Sequence, residues 1–282
     1  MTTYKEIKGT QIEVVSSDPS NPVEGQVWYN STDQVVKGQV LTAADAWATS
    51  GNLNTGRFYF AGSGTRESSI VTGGEPVPSK GALSESYNGS TWTETNDLNT
   101  ARQAHAAAGS SNTDGIVFIG YAGPPGNTAA TESWNGTNWT EVNDLNTARY
   151  SLSSAGSSNT NCLAFGGGPP IGALNELWNG TNWTEVNDMN TSSAQRGGAG
   201  DTTAALAFGG GTPSMTANTE KWNGTNWTET TNLSTAREGG ASSGTQPAAL
   251  FAGGTPSPQT GLTATEEWTI AGASITRTFT DS

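Results

Sequence analysis

The side chains that most often perform catalysis are scarce in this sequence. The chain holds a single histidine, His105, and a single cysteine, Cys162. A Ser-His-Asp triad, a multi-histidine metal centre or a histidine proton relay therefore lacks its residues, and one cysteine forms no internal disulfide. We expect His105 to be a partly buried strand residue and Cys162 a small buried apolar one. The sequence predicts a protein that is not an enzyme, with no catalytic residue, metal site or cofactor.

Carboxylates and tryptophans are the remaining groups that could act on or bind a ligand. The chain has 25 acidic residues and ten tryptophans. A carboxylate pair at the right separation hydrolyses glycosides, but acidic residues recur here at equivalent positions, as in Asn96-Asp97 and Asn143-Asp144. Turn capping is a commoner role for such residues than catalysis or calcium binding. A tryptophan face could bind a sugar, whereas regular spacing of the tryptophans favours packing.

Composition excludes several classes of protein. Of 282 residues, 12 are basic and 25 acidic, which gives a net charge of −13. This charge opposes binding to nucleic acid phosphates, and a helical bundle would need far more Ala, Leu, Glu and Lys. No apolar run approaches the roughly 18 residues of a membrane span, and residues 1–15 lack the apolar core of a secretion signal. We therefore expect neither nucleic acid binding nor membrane insertion.

One sequence unit recurs through most of the chain. WNGTNWTEVNDLNTAR, residues 134–149, returns three more times in close variants. The second tryptophan of the unit falls at Trp92, Trp139, Trp183 and Trp227. Half of a unit begins at Trp47, and another half ends at Trp268. A period of about 45 residues is typical of repeat architectures.

Two further markers keep the same period. An apolar run that ends in glycine occurs at residues 68–74, 115–120, 162–168, 205–211 and 249–254. An arginine follows the second tryptophan by ten residues at Arg57, Arg102, Arg149 and Arg237. Ser193 stands at this position in the remaining unit. The coincidence of three markers makes the repeat a strong signal.

Each unit reads as four short strands, A to D. Strand A follows the arginine and holds small residues, B ends in the glycines, C ends at the first tryptophan and D begins at the second. Asn-Gly between the two tryptophans predicts a hairpin, because both residues accept positive φ. WTEV and WTET alternate apolar and polar residues, as half-buried strands do. Four-stranded units of this period predict the blades of a β-propeller.

Five copies of strand B predict an all-β, five-bladed propeller over residues 44–282. Small residues in strand A fit this number, because few blades crowd the innermost strands around the axis. The repeat begins and ends within a unit, so we expect the strand at Trp47 to complete the last blade and close the ring, which removes an open sheet edge. The C-terminal segment, residues 269–282, is the alternative closing strand.

The order of residues within a unit resembles the kelch repeat. Between Arg102 and Arg149, an apolar strand is followed by Gly120, two tryptophans and an apolar residue. The glycine pair is broken in FIGYAG, and the first aromatic residue is mostly Trp where kelch units have Tyr. The resemblance implies a propeller but no single function, because this fold serves many. A copper-radical oxidase of this family would need cysteine, tyrosine and histidine ligands together.

The repeated residues are predicted to be structural. We expect the tryptophans to pack blade against blade and the arginines to bond carbonyls or acids between blades. A ring of arginines that faces a ligand is the alternative. The residues concerned are Trp47, Trp92, Trp139, Trp183, Trp227, Trp268, Arg57, Arg102, Arg149 and Arg237.

Residues 1–43 lie outside the repeat and form a separate segment. GQVWYN and QVVKGQV predict a hairpin around residues 31–33. DPSNPVEGQVWYNST, residues 18–32, is similar to the opening segment of bacteriophage virion proteins, especially tail and fibre components of marine phages. The resemblance implies that residues 1–43 attach to other virion proteins, and that the protein is made in the host cytoplasm and displayed on the virion surface. A strand pair packed on the propeller is the alternative.

The connections between strands B and C differ from unit to unit and are rich in proline and glycine. Varied loops on a constant scaffold commonly form binding surfaces. The predicted binding residues are Tyr121, Pro124, Pro125, Pro169, Pro170, Pro213, Met215 and Pro256.

These features together predict a non-enzymatic virion protein of a tail fibre or appendage that binds a host-surface glycan or protein through its loops. A purely structural capsid-decoration or neck and tail protein is the first alternative, and a glycan-degrading enzyme is the second. The sequence leaves open whether the chain forms a homo-oligomer.

Overall fold

The computed structural model describes nine stretches of the chain: residues 13–20, 26–32, 34–38, 50–75, 81–123, 126–168, 172–211, 214–256 and 261–269. All regular secondary structure within these stretches is β-strand. They divide into two units, a small one that ends at Gly38 and a large one that begins at Ser50. The predicted boundary between residues 43 and 44 lies outside the described residues.

The small unit is a three-stranded sheet of β1 (Glu13–Val15), β2 (Val27–Asn30) and β3 (Val35–Gly38). Strands β2 and β3 pair antiparallel, which confirms the predicted hairpin. Strand β1 pairs with β2 in parallel and was not predicted.

Asp18 holds the connection between β1 and β2 against the sheet. Its carboxylate accepts hydrogen bonds from Trp28 Nε1 at 3.0 Å, Asn30 Nδ2 at 2.8 Å and Lys37 Nζ at 2.8 Å. The bond from Lys37, followed by those from Asn30 and Trp28, lowers the pKa of Asp18 to about 2. The Asp-Pro turn is therefore fixed by side chains from both strands of the hairpin.

The large unit consists of five antiparallel sheets, which are the predicted blades. Blades 1 to 4 show all four strands, and blade 5 shows strands A to C within the described residues. Blade 1 comprises β4 (Ala61–Thr65), β5 (Ser68–Thr72), β6 (Ser84–Tyr87) and β7 (Trp92–Glu94); blade 2 comprises β8 (Ala106–Ser111), β9 (Asp114–Phe118), β10 (Thr131–Trp134) and β11 (Trp139–Val142); blade 3 comprises β12 (Ser153–Ser158), β13 (Asn161–Phe165), β14 (Asn175–Trp178) and β15 (Trp183–Val186); blade 4 comprises β16 (Gly197–Gly200), β17 (Ala205–Phe208), β18 (Thr219–Trp222) and β19 (Trp227–Glu229); blade 5 comprises β20 (Ala241–Gly244), β21 (Ala248–Ala252) and β22 (Thr265–Thr269).

Strands A and B show why the repeat has its composition. Strand B is buried along nearly its whole length in blades 2 to 4, so it reads as a continuous apolar run. Strand A lies so close to strand B that side chains are excluded at some positions. A Cβ on Gly200, whose φ is +99°, would lie 2.1 Å from the carbonyl oxygen of Ala204. Only glycine fits there.

The second tryptophan of a blade packs against the preceding blade. Trp183 of blade 3 lies edge-on to Phe118 of blade 2, with ring centroids 4.8 Å apart. Its indole Nε1 donates a hydrogen bond of 3.1 Å to Thr131 Oγ1 of the same neighbour. Trp139 of blade 2 reaches Ser84 of blade 1 in the same way. These tryptophans are buried, so they form contacts between blades and offer no surface for a sugar.

The turn between strands C and D differs from the tight hairpin that Asn-Gly suggests. Trp134 pairs with Trp139, so four residues lie between them. Gly136 has a φ of +91°, whereas Asn135 keeps negative φ and acts through its side chain. Asn135 Oδ1 accepts hydrogen bonds from the backbone N–H groups of Thr137 and Asn138, both at 2.9 Å. Side-chain capping of the loop explains the difference.

The predicted ring closure falls outside the described residues. This holds for the strand at Trp47 and for residues 270–282 of the alternative segment. Closure by the N-terminal strand therefore stays a prediction.

Candidate functional site

The repeated arginines are buried and paired with glutamates of strand C. Arg149 Nη1 lies 2.6 Å from Glu176 Oε1, and both side chains are almost completely buried. The other carboxylate oxygen accepts bonds from the backbone N–H and Nδ2 of Asn146, both at 2.8 Å. Both charges are therefore satisfied within the protein. The further pairs are Arg57 with Glu85, Arg102 with Glu132, Arg196 with Glu220 and Arg237 with Glu266.

These pairs correct one expectation. We predicted arginine partners between blades, but each glutamate belongs to the blade that the arginine precedes. Arg149 also donates to the carbonyl oxygens of Thr147 at 3.1 Å, in the connection before blade 3, and Gly166 at 2.9 Å, directly after strand B of that blade. The arginine thus joins the incoming connection to its own sheet.

Blade 4 makes the same pair with a different arginine. Ser193 occupies the repeat position, and Arg196, three residues later, places Nη1 3.6 Å from Glu220 Oε1. The sequence held a signal for this pair. A glutamate stands two residues before the first aromatic residue in every unit, at Glu85, Glu132, Glu176, Glu220 and Glu266.

The five A strands surround a channel along the propeller axis. A cavity of about 470 Å³ is lined almost entirely by Gly, Ala and Ser of these strands, together with Phe60, His105 and Leu152. Each A strand stands at an end of its sheet, so one of its edges has no partner strand in that sheet. Small side chains leave such backbone groups accessible.

One end of the channel is bordered by a ring of residues with left-handed backbone, which we name the channel rim. Ala104 N–H donates to the carbonyl of Tyr59 at 2.9 Å, and the same bond joins each next pair of blades up to blade 5. Four of the five residues are not glycine, and this conformation costs them about 1–2 kcal/mol each. The rim residues are Tyr59 (φ +55°), Ala104 (+48°), Ser151 (+55°), Gln195 (+56°) and Gly239 (+65°).

Blade 1 carries three consecutive exposed aromatic residues at the rim, Phe58, Tyr59 and Phe60, which we name the aromatic rim segment. Their exposed fractions are 55%, 64% and 39%. The rings of Phe58 and Tyr59 meet edge-on with centroids 5.2 Å apart. Blade 2 has Gln103, Ala104 and His105 in the same places. Exposed apolar residues in a cluster indicate an interaction site.

Blade 2 contributes two buried polar atoms without partners beside this segment. His105 Nε2 shares a 2.9 Å hydrogen bond with Thr72 Oγ1, but its Nδ1 makes no hydrogen bond with the described residues, and neither does Gln103 Oε1. Burial, followed by the nearby charge of Arg102, lowers the pKa of His105 to about 3, so the ring is neutral at pH 7. An unsatisfied buried polar group costs about 1–3 kcal/mol, which a ligand can relieve.

The predicted loop residues lie partly beside the rim. Tyr121 pairs with Gln103 through two backbone hydrogen bonds of 3.0 and 2.9 Å, which places it next to the rim. Tyr121, Met215 and Pro256 are all half-buried. The other predicted residues, Pro124, Pro125, Pro169, Pro170 and Pro213, lie outside the described residues.

The sequence analysis missed the aromatic rim segment. The signal was present, because Arg57-Phe58-Tyr59-Phe60 places three aromatic residues where other units are small or mixed.

Neither a metal site nor a membrane-spanning helix emerges from the described stretches. They contain no group of three or more His, Cys, Asp or Glu residues that could hold a metal ion. They also contain no helix with the length and apolarity needed to cross a bilayer.

Comparison with known proteins supports the fold. No family model matches the sequence, and no curated protein matches it. Among solved structures, the chain is similar to that of YjhT, a kelch-repeat propeller, with a TM-score of 0.59 and 12% identity. The match covers 71% of this chain and 73% of that chain. The protein is thus an all-β protein whose five blades are arranged as a β-propeller.

Proposed function

We propose that this protein is a non-enzymatic virion component, of a tail fibre or other appendage, whose propeller binds a host-surface glycan through the channel rim and its neighbouring loops. One observation carries the proposal: Phe58, Tyr59 and Phe60 expose aromatic rings at the rim of a polar channel. Tyr59 shares its left-handed backbone with the equivalent residues of the other blades, so the aromatic side chains set blade 1 apart.

The attachment part of the proposal depends on residues 1–43. Their resemblance to the opening segments of phage virion proteins motivates it. The small sheet gives additional support, because its strands pair with one another and its Asp18 network is internal to the unit. A segment whose described strands pair among themselves suits attachment to other virion proteins.

The binding experiment uses the labelled full chain on a glycan array and on bacterial cells. We expect binding to fall strongly when Phe58 and Phe60 are changed to Ser and Tyr59 to Gly. The matched control changes Thr184 and Glu185 to Ala, since both are exposed on strand D of blade 3, away from the rim sequence. Equal binding by the two variants would contradict the proposed binding site.

The virion assignment has its own test. Mass spectrometry of purified particles should find this chain in fixed proportion to the other particle proteins, and its absence from particles would reject the assignment. Presence in particles without binding to any surface would favour the capsid-decoration or neck and tail alternative. Cleavage of a polysaccharide by the purified chain would favour the enzyme.

A further inference from the structure

We propose that the channel rim between blades 1 and 2 binds one uncharged pyranose residue, whose apolar face lies on the aromatic rim segment and whose hydroxyl donates to Gln103 Oε1. This inference rests on the proposed function and names its ligand class. The site combines exposed rings of Phe58 and Tyr59 with a buried acceptor on the adjoining blade.

The geometry of the rim brings these groups together. Ala104 N–H bonds the carbonyl of Tyr59, so the residues on either side of Ala104, namely Gln103 and His105, adjoin the aromatic rim segment. Phe60 and His105 line the same channel. Apolar faces with a few convergent polar groups are typical of small-ligand sites.

A pyranose matches this combination chemically. One face of its ring presents C–H groups, and its edge presents hydroxyls that donate and accept hydrogen bonds. Gln103 Oε1 can only accept, so it requires a donor such as a hydroxyl. His105 is uncharged at neutral pH, so its Nδ1 offers a neutral hydrogen-bonding group. An apolar peptide side chain would leave both groups unsatisfied.

Charge argues for an uncharged sugar. Two arginines, Arg57 and Arg102, shortly precede the rim residues of blades 1 and 2. Both are buried and paired with glutamates, so their guanidinium groups are not available to a carboxylate or sulfate. Glu75 adds a carboxylate beside Phe58, to which its backbone pairs. The chain as a whole carries a net charge of −13. Anionic sugars would therefore meet repulsion without a compensating ion pair.

The test compares glycans that end in glucose, galactose, mannose or N-acetylglucosamine with glycans that end in a uronate or a sulfated sugar. The full chain and two variants are measured at physiological salt. Gln103→Leu removes the acceptor, and we expect affinity for the neutral glycan to fall about tenfold, as the loss of one hydrogen bond does. Tyr59→Gly removes the stacking ring and should weaken binding at least as much.

Thermal unfolding of the same variants separates binding from folding. Gln103→Leu eliminates an unsatisfied buried oxygen and Tyr59→Gly relieves left-handed strain, so neither midpoint should fall. Loss of binding with an unchanged or raised midpoint supports the inference.

Other results would overturn it. Neutral glycan binding that survives both variants would reject this site. Binding restricted to anionic glycans, but lost on changing the aromatic rim segment, would reject the ligand class and leave the proposed function standing. Absence of binding to any glycan or cell would reject both this inference and the proposed binding function.

Discussion

Blades 1 and 3 are built on the same strands and the same buried arginine–glutamate pair, yet they differ in the three residues after the arginine. Blade 3 has Tyr150, Ser151 and Leu152, and Leu152 is buried with 9% exposed. Blade 1 has the aromatic rim segment, whose Phe60 is 39% exposed. The pair is constant because it satisfies buried charges, whereas the residues after the arginine differ in their environment: Leu152 packs in a hydrophobic core cluster and Phe60 is exposed. Function is therefore expected where the blades diverge.

The largest loss of stability is expected from breaking the arginine–glutamate pair that the two blades share. Glu176→Ala should lower the free energy of unfolding by about 3–5 kcal/mol, because it leaves the Arg149 charge buried without its partner. Chemical denaturation measures this. The control is Glu185→Ala, since Glu185 lies directly opposite Glu176 on strand D but is exposed and should matter by less than about 0.5 kcal/mol. Similar effects for the two glutamates would show that the buried pair does not stabilise the blade more than an exposed glutamate does.

The arginine–glutamate pair of blade 4 can be compared with that of blade 3. Its Arg196 stands 3.6 Å from Glu220, against 2.6 Å in the pair of blade 3. Glu220→Ala should therefore cost less than Glu176→Ala in the same denaturation experiment. An equal or larger loss would mean that the relocated arginine is as strong a partner as the one at the repeat position.

The second effect concerns ring closure. By the repeat, Trp47 corresponds to Trp183 of blade 3, which packs on Phe118 and bonds Thr131. Trp47→Ala and Trp183→Ala should then each lower the free energy of unfolding by about 3 kcal/mol, as loss of a buried tryptophan does. If Trp47→Ala is neutral while deletion of residues 270–282 is destabilising, the C-terminal alternative is correct.

The third effect follows from His105, which takes the place of Leu152 in blade 2. The pKa of His105 is lowered to about 3 in the folded state, from 6.5 when the ring is exposed. The unfolded chain therefore binds a proton that the folded chain does not, and stability falls as pH drops below about 6.5. The loss between pH 7 and pH 5.5 should be about 1 kcal/mol.

His105→Leu, which copies blade 3, should flatten this dependence while carboxylate effects at lower pH remain. Denaturation midpoints at several pH values measure it in both proteins. An unchanged slope in the variant would show that the pKa of His105 does not shift on folding, and the burial of a neutral ring at the rim would lose its support.

The sequence predicts the parts of this fold that repeat, but it does not predict the parts that depend on contacts between particular residues or strands. Five blades, their strands and the small residues of strand A follow from periodicity alone, because each blade buries the same faces. The pair of Arg196 with Glu220 required knowledge that two positions three residues apart reach one carboxylate. Strand β1 pairs in parallel with β2 across a connection that carries no periodic signal.

The candidate site was predicted less well for a related reason. Local sequence does not reveal left-handed backbone at Tyr59 or Ala104, because ring geometry between blades imposes it on residues that disfavour it. The variable loops predict Tyr121, which lies beside the rim, but the rim itself forms only where five connections meet around one channel in the folded protein.

The smallest effect tests this geometry in two opposite directions. Gly239→Ala should lower the free energy of unfolding by about 1 kcal/mol, because a Cβ there has no neighbour within 4 Å and only the φ of +65° opposes it. Ala104→Gly should raise it by about 0.5 kcal/mol, since relief of strain exceeds the added chain entropy of the unfolded state. Thermal and chemical denaturation measure both. If both substitutions destabilise, side-chain packing rather than backbone conformation governs the rim, and Tyr59→Gly would no longer be expected to keep its thermal midpoint.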